Sequence, residues 1–452
     1  MDTLTRAEAQ PLGLWQRYQI RQLTDPACTP TGASIWLLSF AMLIRPKADR
    51  RRLGRAFQKL VRRHDGLRLR FEQDDSGWHG VMNPVSAYGL TEVELGEVDD
   101  ETFRGKLNEV ARKPMDIRSE KLVELVLLNC GSRGDAVVWR IHHALTDGFG
   151  MIVLAEDLFK YMLGLPILSS ALSHRDYIRQ WQSPKGARAA EVEAYWARVA
   201  ADAPPAPDVG RRARGLEPLH LSNAVRESRG LNVRISAQSA EALRARSAET
   251  GLSLQHLFFG GFLEAVCRIH GLDRMIFDFS AMRTEPALSN YCGDHTLDPF
   301  IIYRPDHGSD PWDRAARLQR QYLEAMAHLP ADAARRGSRL EQKMIEAGVY
   351  PRQFATYVPR ATRREEGSTF RNAFAARAGE TVSFGAHSFT PLELDQNVHS
   401  LNELQVIAMD DVGTAAFGLG WDADAYDTED IETLAARICQ ILDIDLIELV
   451  PR

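Results

Sequence analysis

The sequence lacks the cysteine spacings of a zinc site or a disulfide framework. Its five cysteines, at positions 28, 130, 267, 292 and 439, are scattered and odd in number, and no CxxC pair occurs. Such cysteine usage favours a reducing compartment, so we expect a cytoplasmic protein. The first residues, MDTLTR, do not resemble a signal peptide.

A long apolar run is missing as well. The longest uncharged apolar run, ASIWLLSFAMLI at residues 33–44, is shorter than the roughly 20 residues that a membrane-spanning helix needs. Its bulky apolar residues predict a strand buried on both faces, and we expect no membrane span. The formal net charge of -6 gives no reason to expect nucleic acid as a partner.

The remaining composition is that of an ordinary globular chain. Its 452 residues are 44% hydrophobic and 26% charged, enough for two or three domain-sized units. Strand and helix patterns mix without a regular βαβ rhythm, which favours two α+β lobes over a doubly wound nucleotide fold. The stretch ADAPPAPDVGRRAR marks a linker. We expect an amino-terminal lobe (1–200), a linker (201–230) and a carboxy-terminal lobe (231–448).

The last four residues, 449–452, read LVPR and match the left half of a thrombin cleavage site. We interpret them as a tag remnant and leave them out of the fold prediction. The other element predictions of the second half follow from periodicity. They are strands near 231–235, 275–279, 300–303, 405–409 and 415–421, with helices over 239–270, 310–345 and 430–442.

An arginine-rich amphipathic helix is predicted over residues 49–64, DRRRLGRAFQKLVRRH. Its apolar residues recur at helical spacing, and cations cover the remaining surface. That basic surface is either a solvated face or a docking face for an acidic protein. The next segment, RHDGLRLRF, predicts a strand because Leu67, Leu69 and Phe71 alternate with arginines.

The most informative stretch is RIHHALTDGFG, residues 140–150. Strand patterns at 122–130 and 136–143 are joined by a GSRGD loop and predict a hairpin. The run after Asp147 and Gly148 predicts a helix, whose apolar face consists of Ile152, Ala155, Leu158, Phe159 and Met162. The two histidines therefore lie at a strand-to-helix connection.

Three chemistries can be weighed for this stretch. A metal site is disfavoured because neighbouring strand residues point to opposite faces and no third ligand is suitably spaced. A dinucleotide site lacks its third glycine, whose place Val153 takes, and no GxSxG serine elbow is present. The plain alternative is a packed pair of histidines. A strand-end histidine beside an unhindered glycine N–H instead suits proton transfer and oxyanion binding.

The motif HHxxxDG resembles the signature of the acyltransferase superfamily that includes chloramphenicol acetyltransferase, wax ester synthases and nonribosomal peptide synthetase condensation domains. Condensation domains match best. RHDGLRLRF resembles their RHExLRTxF element, EVEAYWARVA (191–200) their YW segment, and FDFSAMR (277–283) a second-lobe strand ending in arginine. Three elements depart from the pattern: AQPLGLW (9–15) is one residue longer and lacks the arginine, DYIRQW (176–181) is one residue longer, and GDHTLDPFIIYR (293–304) is altered and longer. The family's HQDxPFE and RDxSRNPL elements have no good match.

The resemblance implies a stand-alone condensation domain of α+β fold, with two chloramphenicol-acetyltransferase-like lobes in a V around a central tunnel. His143 is then the catalytic residue, which takes or holds the nucleophile's proton, and the Gly148 N–H is the oxyanion donor. His142 holds the loop from inside. Asp147 pairs with Arg283, although its position also allows a helix N-cap. No metal or bound cofactor is expected, since the acyl group arrives on phosphopantetheine. The partners would be an acyl or peptidyl carrier protein and a small amine or alcohol nucleophile.

Three rival functions remain within the resemblance. An acyl-CoA-dependent O- or N-acyltransferase would act on a small soluble acceptor, as wax ester and chloramphenicol enzymes do. An epimerase usually carries an EGHGR-like element, whereas this chain has FSAMRTEPA, with Glu285 out of place. A non-catalytic recruitment module generally has a damaged HHxxxDG, which is intact here.

Overall fold

The computed structural model describes most of the chain. The described residues are 9–24, 36–181, 187–204, 209–216, 226–280, 286–296, 299–306, 310–329, 353–357, 379–384, 386–395, 399–400, 403–408 and 415–451. Helices and strands both contribute heavily, in agreement with the predicted α+β class.

The helices are α1 (Leu14–Thr24), α2 (Arg50–Arg63), α3 (Asp100–Arg112), α4 (Gly148–Leu163), α5 (His174–Trp181), α6 (Ala187–Asp202), α7 (Val209–Ala213), α8 (Ala237–Thr250), α9 (Leu254–His270), α10 (Pro311–Ala327) and α11 (Thr428–Leu442). The strands of the first half are β1 (Leu37–Arg45), β2 (Leu69–Asp74), β3 (Gly77–Met82), β4 (Leu90–Glu94), β5 (Val123–Asn129) and β6 (Asp135–His142). Those of the second half are β7 (Arg226–Ile235), β8 (Met275–Ser280), β9 (Phe300–Tyr303), β10 (Gln353–Tyr357), β11 (Val382–Phe384), β12 (His387–Pro391), β13 (His399–Ser400), β14 (Leu404–Ala408), β15 (Ala415–Asp422) and β16 (Leu446–Pro451).

The first large sheet has the strand order β11-β12-β1-β6-β5-β4. Every residue of β6 is buried, because α2 and α4 cover one face of the sheet and α3 covers the other. β1 confirms the predicted strand within 33–44, but only its second half is fully buried, since Leu37–Phe40 are partly exposed. The predicted hairpin is confirmed as the antiparallel pair β5–β6. This packing fixes the end of β6, where His142 pairs with Leu37 of β1.

The second large sheet has the order β13-β7-β15-β14-β10-β8-β9, and β16 also pairs with β7. Helix α9 crosses it and is buried over most of its length, with α10 and α11 packed against it. The strands and helices predicted for the second half are confirmed within the described residues. The predicted helix over 310–345 is described only as far as α10, since residues 330–345 lie outside the described part.

Two strands from the second half of the chain belong to the first sheet. β11 and β12 come from the second half but extend the first sheet through antiparallel pairing of β12 with β1. In the predicted linker, α7 packs on the second sheet, where Arg211 forms a buried ion pair with Asp422 at 2.5 Å. We retain the division into lobes 1–200 and 231–448 as a proposal, with β11 and β12 as the part that crosses over.

The structure corrects two local predictions. Residues Asp65–Arg68 form a 3-10 turn, so the strand predicted from Leu67 begins at Leu69 instead. On α4, Leu154 is buried while Ile152 is only partly so. The LVPR tail, which the fold prediction left out, continues β16 through Pro451 and pairs with β7, because that part of β7 offers a free edge.

No helix in the described ranges combines the length and the apolar character that crossing a bilayer requires.

Candidate functional site

The HHxxxDG segment forms a short connection between β6 and α4. β6 ends at His142, and His143–Leu145 make one 3-10 turn. α4 then begins at Gly148, with Asp147 as its N-cap, whose carboxylate accepts the Gly150 N–H at 2.7 Å. An aspartate at this position supplies an acceptor for the otherwise unsatisfied amides of the first helical turn.

His142 points into the core. Its side chain is completely buried, and its Nδ1 accepts the Ala144 N–H at 3.1 Å. Gln16 supports the same turn from α1 by donating to the Ala144 carbonyl at 3.0 Å. Burial, with a smaller effect from the charge of His143, lowers the pKa of His142 to about 3. His142 is therefore neutral at physiological pH and braces the loop.

His143 points the other way and is 23% exposed. Its Nδ1 lies 3.2 Å from Oδ2 of Asp294, a carboxylate that is only 3% exposed and stands 151 residues further along the chain. Burial disfavours the protonated ring, but the hydrogen bond and charge of Asp294, with the charge of Asp147, outweigh it and raise the pKa of His143. Adjacent histidines thus have opposite pKa shifts.

The segment that carries Asp294 is itself held in place. Thr296 donates to Asp294 Oδ1 from its backbone N–H at 2.9 Å and from its hydroxyl at 2.7 Å. The backbone N–H of His295 donates to Oδ2 of Asp147 at 2.9 Å. Asp147 therefore fixes both the start of α4 and the position of the segment whose carboxylate meets His143.

Close packing of backbones completes this junction. The Thr146 hydroxyl donates to the Cys292 carbonyl at 2.5 Å. A Cβ built on Gly150 would collide with that same carbonyl oxygen and with Thr146 Oγ1. Only glycine at position 150 lets α4 approach the 291–296 segment so closely.

Gly148 presents the opposite situation. It is exposed, and a Cβ at this position would meet nothing within 4 Å. Its N–H belongs to the first turn of α4, where helical amides have no partner within the helix and the dipole favours negative charge. An amide in this position can donate to an oxygen that approaches the start of the helix.

One side of the His143 ring is covered by aromatic residues. The indole of Trp36 meets it edge to face, with ring centroids 5.8 Å apart. Trp15 and Tyr18 of α1 pack on Trp36 with centroids 6.1 and 6.2 Å from it. Trp15 also donates to the Thr296 carbonyl at 2.9 Å. This aromatic wall limits the access of water to the histidine.

The structure brings His142, His143, Asp147 and Gly148 together within one loop. Arg283, the predicted partner of Asp147, lies outside the described residues. The described ranges contain no group of three or more His, Cys, Asp or Glu side chains that could hold a metal ion. Sequence reasoning missed Asp294. The available signal was that its segment, GDHTLDPFIIYR, departs from the resembled motif.

A profile of the Condensation domain family matches residues 10–446. The chain, an α+β protein, therefore belongs to the condensation domain family. Cyclosporin synthetase simA from Tolypocladium inflatum is 30% identical over 184 residues, 38% of this chain. Nonribosomal peptide synthetase kk1B from Curvularia clavata is 25% identical over 272 residues, 58% of this chain. The chain spans 1% and 2% of the lengths of these two relatives.

Solved structures share the fold at low sequence identity. The SgcC5 protein from Streptomyces globisporus superposes with a TM-score of 0.70 at 17% identity, over 96% of this chain and 97% of that one. The epimerization domain from the third module of tyrocidine synthetase B gives a TM-score of 0.69 at 16% identity, over 96% of this chain and 96% of that one. Because an epimerization domain shares the fold, the fold alone does not select the activity.

Replacing Gly150 with Ala should destabilise the protein, because the new methyl group forces α4 away from Cys292. We expect a loss of about 1–3 kcal/mol in the free energy of unfolding. The matched control is Gly148→Ala, which adds the same methyl group two residues away into open space. Urea unfolding should place this control within ~1 kcal/mol of the wild type. Equal stability of both variants would contradict the close-packed junction.

Replacing His142 with Asn should flatten the acid dependence of stability. Asn can still accept the Ala144 N–H but does not titrate. The unfolded chain takes up a proton on His142 below about pH 6.5, whereas the folded protein does so only near pH 3. The free energy of unfolding of the wild type therefore decreases as the pH is lowered through this window. His142 accounts for roughly 2 kcal/mol of that decrease between about pH 7.5 and pH 5.

Urea unfolding of both proteins across that pH range tests this. The difference in unfolding free energy between wild type and His142→Asn should shrink or reverse toward acid. Parallel curves would show that His142 is not held neutral by burial.

Proposed function

We propose that this chain is an acyltransferase that joins a thioester-bound acyl group to an amine or alcohol, forming an amide or ester in secondary-metabolite biosynthesis. One observation carries the proposal. At the junction of the two halves, the partly exposed His143 is hydrogen-bonded to the buried carboxylate of Asp294, in a chain that belongs to the condensation domain family. A histidine held in this way is suited to accept a proton from a nucleophile.

The proton transfer follows from the tautomer of His143. A carboxylate can only accept, so the proton of a neutral ring lies on Nδ1, and Nε2 keeps its lone pair. Nε2 accepts the proton of the amine or hydroxyl as the nucleophile attacks the thioester carbonyl carbon. When the tetrahedral intermediate collapses, the C–S bond breaks, and the imidazolium returns that proton to the departing thiolate.

The negative charge of the intermediate requires a donor. We assign this role to the Gly148 N–H, because Gly148 is exposed at the first turn of α4 and nothing crowds it. An amide fixed by the helix needs no reorganisation when charge develops on the oxygen. His142 and Asp147 act as structural supports in this proposal, and Arg283 is the proposed further partner of Asp147.

The proposed shape is a V of two lobes around a tunnel that reaches His143. The thioester arm would enter from one side and the nucleophile from the other. The junction of α4 with the 291–296 segment supports this arrangement, since it joins residues of both halves beside His143. The acyl group would be carried as a substrate on phosphopantetheine, belonging to a carrier protein or to coenzyme A.

A surface on α2 favours a carrier protein as the donor. Arg51, Arg55, Lys59 and Arg62 are exposed, and their spacing places them along one face of the helix, which we call the basic strip. Lys59 lies over the Tyr161 ring, but within the described residues none of the three arginines has an ion pair. A row of cations of this kind steers an acidic protein toward the surface.

Apolar groups adjoin the basic strip. The loop that follows α4 exposes Leu165 at 36% and Leu168 at 95%. It lies beside α2, since Arg63 donates to the Ser169 hydroxyl at 3.2 Å. Exposed apolar side chains next to cations suit a protein partner better than a small soluble donor.

Replacing His143 with Ala should abolish acyl transfer while leaving the fold intact. The expected loss is about 10²–10⁴-fold or more in kcat/KM, because the variant has no group to accept the proton. Intact-mass measurement of an acyl-loaded carrier protein, incubated with a panel of amines and alcohols, follows product formation. Full turnover by a variant with an unchanged melting temperature would rule out this role for His143.

Reversing the basic strip with Arg51→Glu, Arg55→Glu and Arg62→Glu should raise KM for a carrier-bound acyl donor by about tenfold or more while leaving kcat similar. A free acyl-pantetheine donor should be used as well as before, since it does not need the surface. The control is Arg246→Glu on α8, an exposed helical arginine in the second half. Steady-state kinetics with both donors separate the cases. Unchanged KM for the carrier-bound donor would remove the strip as its docking face.

A further inference from the structure

We propose that the acceptor is an alcohol, so that the chain forms an ester rather than an amide. This inference rests on the proposed acyl transfer at His143 and adds the class of nucleophile. The observation behind it is the Asp294–His143 pair, in which a buried carboxylate is coupled to the histidine nitrogen that faces away from the reaction.

The Asp294 carboxylate is costly to place where it is. At 3% exposure it has lost most of its hydration, which is unfavourable for an ion unless hydrogen bonds replace the water. Both oxygens are bonded, Oδ1 by the N–H and hydroxyl of Thr296 and Oδ2 by His143. The charge is therefore fixed in position and directed at Nδ1.

Such a carboxylate matters chiefly when the histidine must become cationic during the reaction. As Nε2 takes a proton, the ring gains a full positive charge 3.2 Å from the Asp294 oxygen, and the pair is stabilised at that moment. The stronger the base required, the larger the benefit. The buried carboxylate thus turns His143 from a hydrogen-bonding group into an effective general base.

The two classes of acceptor differ sharply in that requirement. An α-amine with a pKa of about 7.7–8.0 is already roughly a tenth neutral at pH 7 and has a free lone pair for attack. It needs positioning more than proton removal. A hydroxyl has no comparable fraction in its anionic form and must lose its proton as it attacks, so general-base catalysis is essential for it.

The surroundings of the ring agree with a neutral acceptor. Trp36 covers one side of His143 edge to face. The other charged or titratable groups near the ring are already engaged, since Asp147 is bonded by Gly150 and His295 backbone N–H groups and His142 is neutral. A hydroxyl enters such an aromatic, partly dehydrated site at a lower desolvation cost than an ammonium ion does.

Asp294→Asn separates this role from a purely structural one. Asn keeps the size and can still accept from Thr296, but its NH₂ would donate to Nδ1 and move the ring proton to Nε2, removing the base. With hexanoyl-pantetheine as donor and matched acceptors, 3-phenyllactamide against phenylalaninamide (an α-amine) and shorter homologues, wild type should favour the alcohol. The variant should lose ester formation by about 10²-fold or more and amide formation by less than about tenfold.

The pH dependence of kcat/KM and a matched control variant test the same role of Asp294. The acidic limb of kcat/KM should move to lower pH in Asp294→Asn, because the carboxylate that raises the pKa of His143 is gone. Thr296→Val is the matched control, since it removes one hydrogen bond to Asp294 but leaves the pair, and it should change ester formation by less than about tenfold.

The outcomes divide cleanly. A preference of wild type for the amine, or an equal loss of both reactions in Asp294→Asn with a lowered melting temperature, would overturn the inference while leaving acyl transfer at His143 in place. Transfer to neither acceptor class by the folded wild type, with no difference from His143→Ala, would overturn the proposed function and this inference with it.

Discussion

The site depends on one constraint, the close approach of the α4 start to the 291–296 segment. Thr146, Asp147 and the absent side chain of Gly150 each hold that segment against the HHxxxDG loop. The contacts join residues about 150 positions apart, so they depend on tertiary packing between the two halves. The pairing of His143 with Asp294 is then a consequence of this packing, because Asp294 lies between the two anchored residues Cys292 and His295.

The same geometry explains why two neighbouring histidines behave differently. β6 ends at His142, whose ring lies in the core, and the 3-10 turn that follows directs His143 toward the junction. Burial without a carboxylate lowers the pKa of His142, whereas Asp294 raises that of His143 against the effect of burial. The His142 ring is thereby suited to structural support and the His143 ring to proton transfer, although the two are identical neighbours in the sequence.

Much of the fold could be predicted because its signals are local. The period of α2, the apolar run of β1 and the loop between β5 and β6 each follow from a few adjacent residues, and all three occur in the structure. The pairing of β11 and β12 with the first sheet could not be predicted, since the periodicity of a short strand does not indicate which sheet it joins. The turn at Asp65–Arg68 was missed because an alternation of apolar and charged residues is also compatible with a tight turn that leads into a strand.

The residues of the site also differ in whether local sequence predicts them. His143 and Gly148 follow from a contiguous motif at a strand-to-helix connection, whereas Asp294 is tied to them only by tertiary packing. Its segment departs visibly from the resembled pattern, yet a departure has no chemical meaning until its position is known. A buried carboxylate beside a proton-accepting histidine is a costly feature, and its cost is offset only if the reaction calls for a strong base. The altered segment therefore bears more directly on the acceptor than the shared motif does, since the motif serves amines and alcohols alike.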